Sequence, residues 1–141
     1  LQGLLEGERD ATANCANFAS LVFNSISGLN WAGFYLMKDG DLVLGPFQGK
    51  PACVRIKPGR GVCGSVAVEK RTIIVPDVAE FPGHIACDPA SRSEMVVPVL
   101  KGGVLLGVFD LDSQHPGRFR EDDRVLMERL VCKLVECSDW D

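Results

Sequence analysis

The chain has 141 residues, of which 46% are apolar and 24% charged, and its formal net charge is −4. This length suits one domain with its own hydrophobic core, and the composition is that of a soluble globular protein. Because no Lys or Arg cluster is present, nucleic acid and anionic membranes are excluded as main partners, and no apolar run approaches the roughly 20 residues of a membrane-spanning helix.

Apolar residues at helical spacing predict a first helix from Ala11 to Ile26, which ends near Gly28. A short helix is predicted over 62–69 and a last helix over 121–137. The buried face of the last helix is expected to contain Leu126, Leu130, Leu134 and Cys137.

Runs rich in β-forming residues predict six strands, at 31–37, 42–47, 53–56, 72–75, 94–100 and 104–111. Turn signals such as Asp39-Gly40 and Lys101-Gly102-Gly103 join neighbouring strands into hairpins. Hairpins imply an antiparallel sheet, and the helices are expected to pack against it. The sequence therefore predicts a single α+β domain over residues 1–141.

Six cysteines are the first candidates for chemistry. The opening residues Leu1 to Asp10 are too charged for a secretory signal, so we expect a reducing, cytoplasmic compartment. There, cysteines act as buried thiols, metal ligands or redox groups. Cysteines on the predicted helices are expected to fill the core, and those in or beside irregular segments remain open between redox use and burial. The helical set is Cys15, Cys132 and Cys137; the loop set is Cys53, Cys63 and Cys87.

The segment from Pro76 to Ser91 has no clear period, and a loop of sixteen residues inside a compact domain is usually functional. Within it, His84 precedes Cys87 by three residues, near enough to influence its thiolate character. Cys53, Cys63, His84 and Cys87 also supply the ligand types of a zinc site, although their spacing lacks a CxxC knuckle. A structural zinc domain is thus a weaker alternative.

Acidic residues mark the last predicted hairpin. Glu94 begins one strand, and Asp110 and Asp112 end the next, so the three carboxyl groups should meet at one end of the sheet. Because three neighbouring carboxylates repel one another, at least one of these groups should have a raised pKa and donate a proton near neutral pH. The alternative is a set of solvated strand ends.

Single aromatic and polar residues complete the candidates. Trp31 and Tyr35 lie four residues apart on one strand and share a face, either as core residues or as a wall against a small apolar group. Asn30 and His115 are interpreted as capping or surface residues.

Several segments together resemble the free methionine-(R)-sulfoxide reductases, a family built on the GAF domain. The likeness covers roughly residues 11 to 135 and includes the cysteine spacing of 53, 63 and 87, which ordinary ligand-binding GAF domains lack. The matching stretches are NWAGFYL at 30–36, LVLGPFQGKPACVRI at 42–56, GRGVCG at 59–64, FPGHIACD at 81–88, SEMVVP at 93–98 and GVFDLDS at 107–113.

The resemblance implies a GAF-type fold with a central antiparallel sheet of about six strands, flanked by N- and C-terminal helices. It implies that Cys87 is the catalytic cysteine, that Cys53 resolves it and that Cys63 takes part in recycling. Trp31 and Tyr35 match residues that line the substrate pocket, and Glu94, Asp110 and Asp112 match acidic residues that bind the sulfoxide end.

The implied reaction is the reduction of free methionine-R-sulfoxide, through a cysteine sulfenic acid and an intramolecular disulfide that thioredoxin reduces. No metal or organic cofactor is expected. A homodimer joined through the terminal helices is expected from the family. The alternative is a GAF module that senses a small ligand and does no chemistry.

Overall fold

The computed structural model describes residues 1–84 and 88–140. This part of the chain forms four α-helices and six strands, and a single 3-10 turn interrupts the long loop at Val78–Glu80. The helices are α1 (Gln2–Leu5), α2 (Ala11–Ser25), α3 (Gly61–Glu69) and α4 (Glu121–Cys137). The strands are β1 (Leu29–Lys38), β2 (Asp41–Gly49), β3 (Arg55–Ile56), β4 (Ile73–Val75), β5 (Ser93–Lys101) and β6 (Val104–Ser113).

The six strands form one antiparallel sheet in the order β3-β2-β1-β6-β5-β4. Hairpins join β1 to β2 and β5 to β6, and the turns of both use residues with positive φ, as the sequence indicated. Strand β1 pairs with β6 in the centre, so the two hairpins meet there. The α+β, GAF-type prediction is confirmed.

Each face of the sheet carries its own apolar cluster, because side chains alternate along every strand. On one face, Phe34 and Phe109 pack against Phe18 of α2, and apolar residues of α4 complete this core. On the other face, Trp31 and Tyr35 pack with residues of α3. The two long helices thus close one side, while α3 and the loops cover the other.

Local sequence explains where the long helices begin. The Asp10 side chain accepts a hydrogen bond from the Ala13 N–H at 2.8 Å, which satisfies one of the unpaired donors at the start of α2. At the start of α4, the side chain of Asp123 accepts from the Arg120 N–H, and the acidic first turn Glu121-Asp122-Asp123 suits the helix dipole.

Two predictions about helical side chains were wrong at one residue each, Leu126 and Cys132, whereas Leu134 is buried and Leu130 and Cys137 pack against the core as expected. Helix α4 buries Met127, Val131, Leu134 and Val135, whereas Leu126 is 48% exposed. Cys15 is fully buried as expected, but Cys132 is exposed and Cys137 only half-buried. Along the described residues, no helix is both long and apolar enough to cross a membrane.

Candidate functional site

An open pocket lies on the face of the sheet that α3 covers. It is partly open to solvent, and apolar, acidic and basic side chains all line it. Its floor is the sheet, and its sides come from the start of α3 and from two loops. The lining residues are Trp31, Tyr35, Lys50, Pro51, Ala52, Ile56, Arg60, Gly61, Val62, Cys63, His84, Asp88, Ser91, Glu94, Asp110 and Asp112.

Three acidic side chains form the polar floor of this pocket. Glu94 of β5 is paired directly with Asp112 of β6, and Asp110 lies two residues before Asp112 on the same face. Glu94 is 5% exposed and Asp110 is 6% exposed, so neither is a solvated strand end. The prediction that the hairpin gathers these three carboxyl groups is confirmed.

Burial and mutual repulsion keep the acidic cluster partly protonated. Burial, followed by the charge of Asp112, raises the pKa of Glu94 from 4.5 to about 8. Burial also raises the pKa of Asp110 and that of Asp112 well above their usual range, and in each case a neighbouring carboxylate adds to the effect. At neutral pH the floor of the pocket therefore holds carboxylic acids that can donate a proton.

The raised pKa of Glu94 predicts a specific dependence of stability on pH. Between the usual value of 4.5 and about 8, the folded state retains a proton that the unfolded chain has lost, so the free energy of unfolding falls as pH rises. We expect the melting temperature to decrease across this window, and the Glu94→Gln variant to show a shallower decrease. Thermal melts of both proteins from about pH 5 to about pH 9 span this window and measure how steeply each melting temperature falls. Parallel curves would contradict the raised pKa.

Cys63 contributes a buried thiol beside the acids. It lies in the first turn of α3 and is 4% exposed. Burial, followed by the charge of Asp110, raises its pKa well above 9. Since the thiolate is the nucleophilic form, Cys63 in this environment is a poor nucleophile at neutral pH.

An aromatic wall lines the pocket beside the acids, because Trp31 of β1 is paired with Asp112 of β6. The rings of Trp31 and Tyr35 stack with centroids 5.9 Å apart, and Phe47 stacks on the other side of Trp31 at 5.3 Å. Glycines make room for the indole, because a Cβ at Gly33 or Gly49 would lie only 2.7 Å or 2.6 Å from it. The expectation that Trp31 and Tyr35 share a face is confirmed.

Both aromatic side chains also form hydrogen bonds to the loop at the edge of the pocket. The Trp31 indole N–H donates to the Lys50 carbonyl at 3.0 Å, and the Tyr35 hydroxyl donates to the Cys53 carbonyl at 2.9 Å. Cys53 is half-buried at this position. The loop that contains Cys53 is thus fixed at the edge of the pocket by hydrogen bonds from its wall.

Asn30 has a structural role that sequence analysis missed. Its amide nitrogen donates to the Asp88 carboxylate at 2.9 Å and to the Ser91 hydroxyl at 3.0 Å, so it is not a surface or capping residue. Asp88 accepts in addition from the Ala90 N–H, and these hydrogen bonds lower the pKa of Asp88. No sequence signal connects partners that are 58 and 61 residues apart.

Cys87 lies outside the described residues. The residues described on either side, His84 and Asp88, both line the pocket, and His84 Nε2 lies 3.3 Å from Glu94 Oε1. Burial lowers the pKa of His84, so its neutral form is favoured. The influence of His84 on Cys87 and the zinc set that includes Cys87 both stay predictions.

Comparisons with known proteins agree with this geometry. The model of the GAF domain matches residues 11–136. The chain is 47% identical over 131 residues to the free methionine-R-sulfoxide reductase of Escherichia coli, covering 93% of this chain and 79% of the relative. It is 43% identical over 145 residues to the Saccharomyces cerevisiae enzyme of the same name, covering 97% and 80%. The chain belongs to the GAF family, and within it to the free methionine-R-sulfoxide reductases.

The fold also superposes on a reductase that was solved in complex with its substrate. The free methionine-R-sulfoxide reductase of Neisseria meningitidis, solved with its substrate, superposes with a TM-score of 0.93 at 41% identity. The match covers 96% of this chain and 82% of that one. The reductase family and the GAF fold are therefore shown for this chain by sequence and by structure together.

Proposed function

We propose that this reductase converts free L-methionine (R)-S-oxide to L-methionine, with Cys87 as nucleophile and the buried acids as proton donors. The observation that carries the proposal is the buried cluster of Glu94, Asp110 and Asp112, which lies beside the aromatic residues Trp31 and Tyr35 in one pocket. The named relatives from Escherichia coli and Saccharomyces cerevisiae support the same substrate.

The first step of the proposed reaction uses the acid cluster and the nucleophile together. A proton from the cluster bonds to the sulfoxide oxygen and makes the sulfur electrophilic. The thiolate of Cys87 attacks that sulfur, the S–O bond breaks, and the oxygen is transferred to Cys87. Methionine leaves, and Cys87 remains as a sulfenic acid. The substrate gains two electrons, which the cysteine sulfur loses.

The second step returns the cysteine to its reduced form. The Cys53 thiol condenses with the sulfenic acid of Cys87, which forms a disulfide and releases water. An external dithiol then reduces the disulfide by thiol exchange, and we propose thioredoxin as that donor. The Tyr35 hydroxyl, which holds the Cys53 carbonyl at the edge of the pocket, supports this role for Cys53. Cys63 is proposed to take part only in later recycling, because its raised pKa disfavours attack.

The rim of the pocket suits a free amino acid rather than a peptide. Lys50 and Arg60 offer positive charge for a carboxylate, and Asp88 offers negative charge for an ammonium group. A methionine sulfoxide within a peptide carries neither charge on its backbone. The aromatic rings of Trp31 and Tyr35 are proposed to contact its methyl and methylene groups.

One assay tests the function and separates it from ligand sensing. Consumption of NADPH, coupled through thioredoxin and its reductase, is measured with the R and S isomers of methionine sulfoxide, each free and peptide-linked. We expect turnover with the free R isomer alone. Binding of that isomer without turnover and without loss of thiols would favour the sensor alternative.

Cys53→Ser is expected to separate the two steps. The variant should still release one equivalent of methionine, since attack by Cys87 needs no second thiol, but its steady-state rate with thioredoxin should fall by about 10-fold or more. Quenched single-turnover reactions and the coupled assay measure the two quantities. Loss of the first equivalent of methionine would mean that the roles of Cys53 and Cys87 are exchanged.

We also propose a cytoplasmic homodimer joined through the terminal helices. Leu4 of α1 and Val125 and Leu126 of α4 are exposed apolar residues, and a contact between these helices would remove their surface from water. Sedimentation velocity of the wild-type protein and of a Leu126→Glu variant tests it. A monomeric wild-type protein would contradict the proposal.

A further inference from the structure

Three potential metal ligands converge at the closed end of the pocket. The Cys63 sulfur, a Glu94 carboxylate oxygen and an Asp110 carboxylate oxygen all lie within 4.8 Å of one another, and all three residues are buried. They come from three different elements, α3, β5 and β6, so the tertiary fold brings them together. This convergence combines a soft sulfur ligand with two hard oxygen ligands.

A second observation points to a ligand at the same place. Asp110 Oδ1 is buried and has no hydrogen-bond partner among the described residues, although Asp110 is only 6% exposed. Buried carboxylates normally pair, accept hydrogen bonds or coordinate a metal. The oxygen therefore has an open coordination position inside the cluster.

An imidazole lies beside this cluster without belonging to it. His84 Nε2 lies 3.3 Å from Glu94 Oε1, but it is not among the three ligand atoms that converge. Thiolate and carboxylate ligands together suit Zn²⁺ and Cd²⁺, whereas Mg²⁺ prefers oxygen ligands and water.

The spacing fits a tetrahedral ion after a small contraction. Bond lengths of about 2.3 Å to sulfur and about 2.1 Å to oxygen place tetrahedral ligand atoms about 3.5 Å apart. The three ligand atoms lie within 4.8 Å of one another, so small side-chain rotations can bring them to this spacing. A bound cation would also compensate the negative charges of the ionised ligands, which burial otherwise disfavours.

We propose that Cys63, Glu94 and Asp110 form a binding site for a thiophilic divalent cation, Zn²⁺ being the physiological candidate. The ligands bind as thiolate and carboxylates, and their displaced protons go to solvent. The cation is an inhibitor and not a cofactor. Because the site overlaps the acids assigned to the sulfoxide, cation and substrate exclude each other; this last point alone rests on the proposed function.

Titration of the reduced full-length chain with Cd²⁺ tests the site, with the ultraviolet absorption of the thiolate–cadmium bond as the signal. We expect one equivalent to saturate the signal. Cys63→Ser should abolish it, and Asp110→Asn should weaken binding by about 10-fold or more. Cys132→Ser is the matched control, because its exposed sulfur lies only 3.8 Å from Glu136 and offers a competing site. Mg²⁺ should not compete.

Specific outcomes would overturn the proposal. A signal that survives Cys63→Ser but disappears in Cys132→Ser would place the cation on the surface. Loss of the signal in Cys53→Ser, with Asp110→Asn unchanged, would favour a set of cysteine ligands instead. Far-ultraviolet circular dichroism of Asp110→Asn and of Glu94→Gln shows whether each variant folds; if one does not, the other is used to measure affinity.

Competition with substrate is measured separately on the Cys87→Ser variant. Free methionine-R-sulfoxide should lower the apparent Cd²⁺ affinity in proportion to its concentration. Cadmium binding that is unchanged at saturating substrate would overturn mutual exclusion. Absence of turnover in the coupled assay would contradict the proposed function and leave the cadmium titration intact, so the two failures are distinguishable.

Discussion

Replacing Cys87 by serine is expected to abolish reduction of free methionine-R-sulfoxide, with a loss in kcat of about 1,000-fold or more. A serine hydroxyl is not ionised at neutral pH, and it cannot accept the sulfoxide oxygen as a stable sulfenic acid. The coupled NADPH assay and a direct measurement of methionine both report the effect. Substrate affinity should change little, because the aromatic wall and the charged rim are untouched.

Cys132→Ser is the matched control for this prediction. Cys132 is an exposed thiol on α4, which packs against the face of the sheet opposite the pocket. Its replacement removes one sulfur from the chain without altering the site, so activity should stay at the wild-type level. Equal activity of Cys87→Ser and Cys132→Ser would rule out Cys87 as the nucleophile.

Replacing Glu94 by glutamine is expected to lower kcat by about 100-fold or more, the usual contribution of a positioned general acid. The amide has the shape of the carboxyl group and can donate a hydrogen bond, but it cannot transfer a proton. Fold should be preserved, since the carboxyl group with its pKa of about 8 is already largely neutral at pH 7. Asp112→Asn should likewise reduce rate more than stability.

Glu69→Gln makes the same chemical change at the exposed end of α3. Glu69 pairs with Arg71 at the surface and does not line the pocket, so its replacement should leave kcat unchanged. The pH profile separates proton donation from a purely structural effect. If Glu94 supplies the proton, wild-type activity declines as pH rises through about 8, whereas the residual activity of Glu94→Gln does not follow that decline.

Much of the sheet could be predicted from the sequence, because alternation and turn residues act locally. The hairpin of β5 and β6 is the clearest case. Once the Lys101-Gly102-Gly103 turn is identified, strand geometry alone brings Glu94 beside Asp112. The acidic cluster was therefore predicted correctly from residues that lie 16 and 18 positions apart along the chain.

Contacts that depend on tertiary packing could not be predicted in this way. Asn30 bonds to a loop some 60 residues further along, and nothing in its neighbourhood indicates that partner. Helix α4 carries two adjacent apolar stripes, and the sequence does not show which of them faces the sheet. The stripe with Met127 and Val131 is buried, while Leu126 and Cys132 on its flanks remain exposed.

The position of Trp31 has a practical consequence for kinetic work. The chain contains two tryptophans, and the other, Trp140, bonds to the Val135 carbonyl and packs against the opposite face of the sheet. Only one indole therefore stands where a bound molecule would quench or shift its fluorescence. A Trp140→Phe protein would carry a single intrinsic optical reporter of pocket occupancy, so that ligand arrival and release could be followed by stopped flow without any added label.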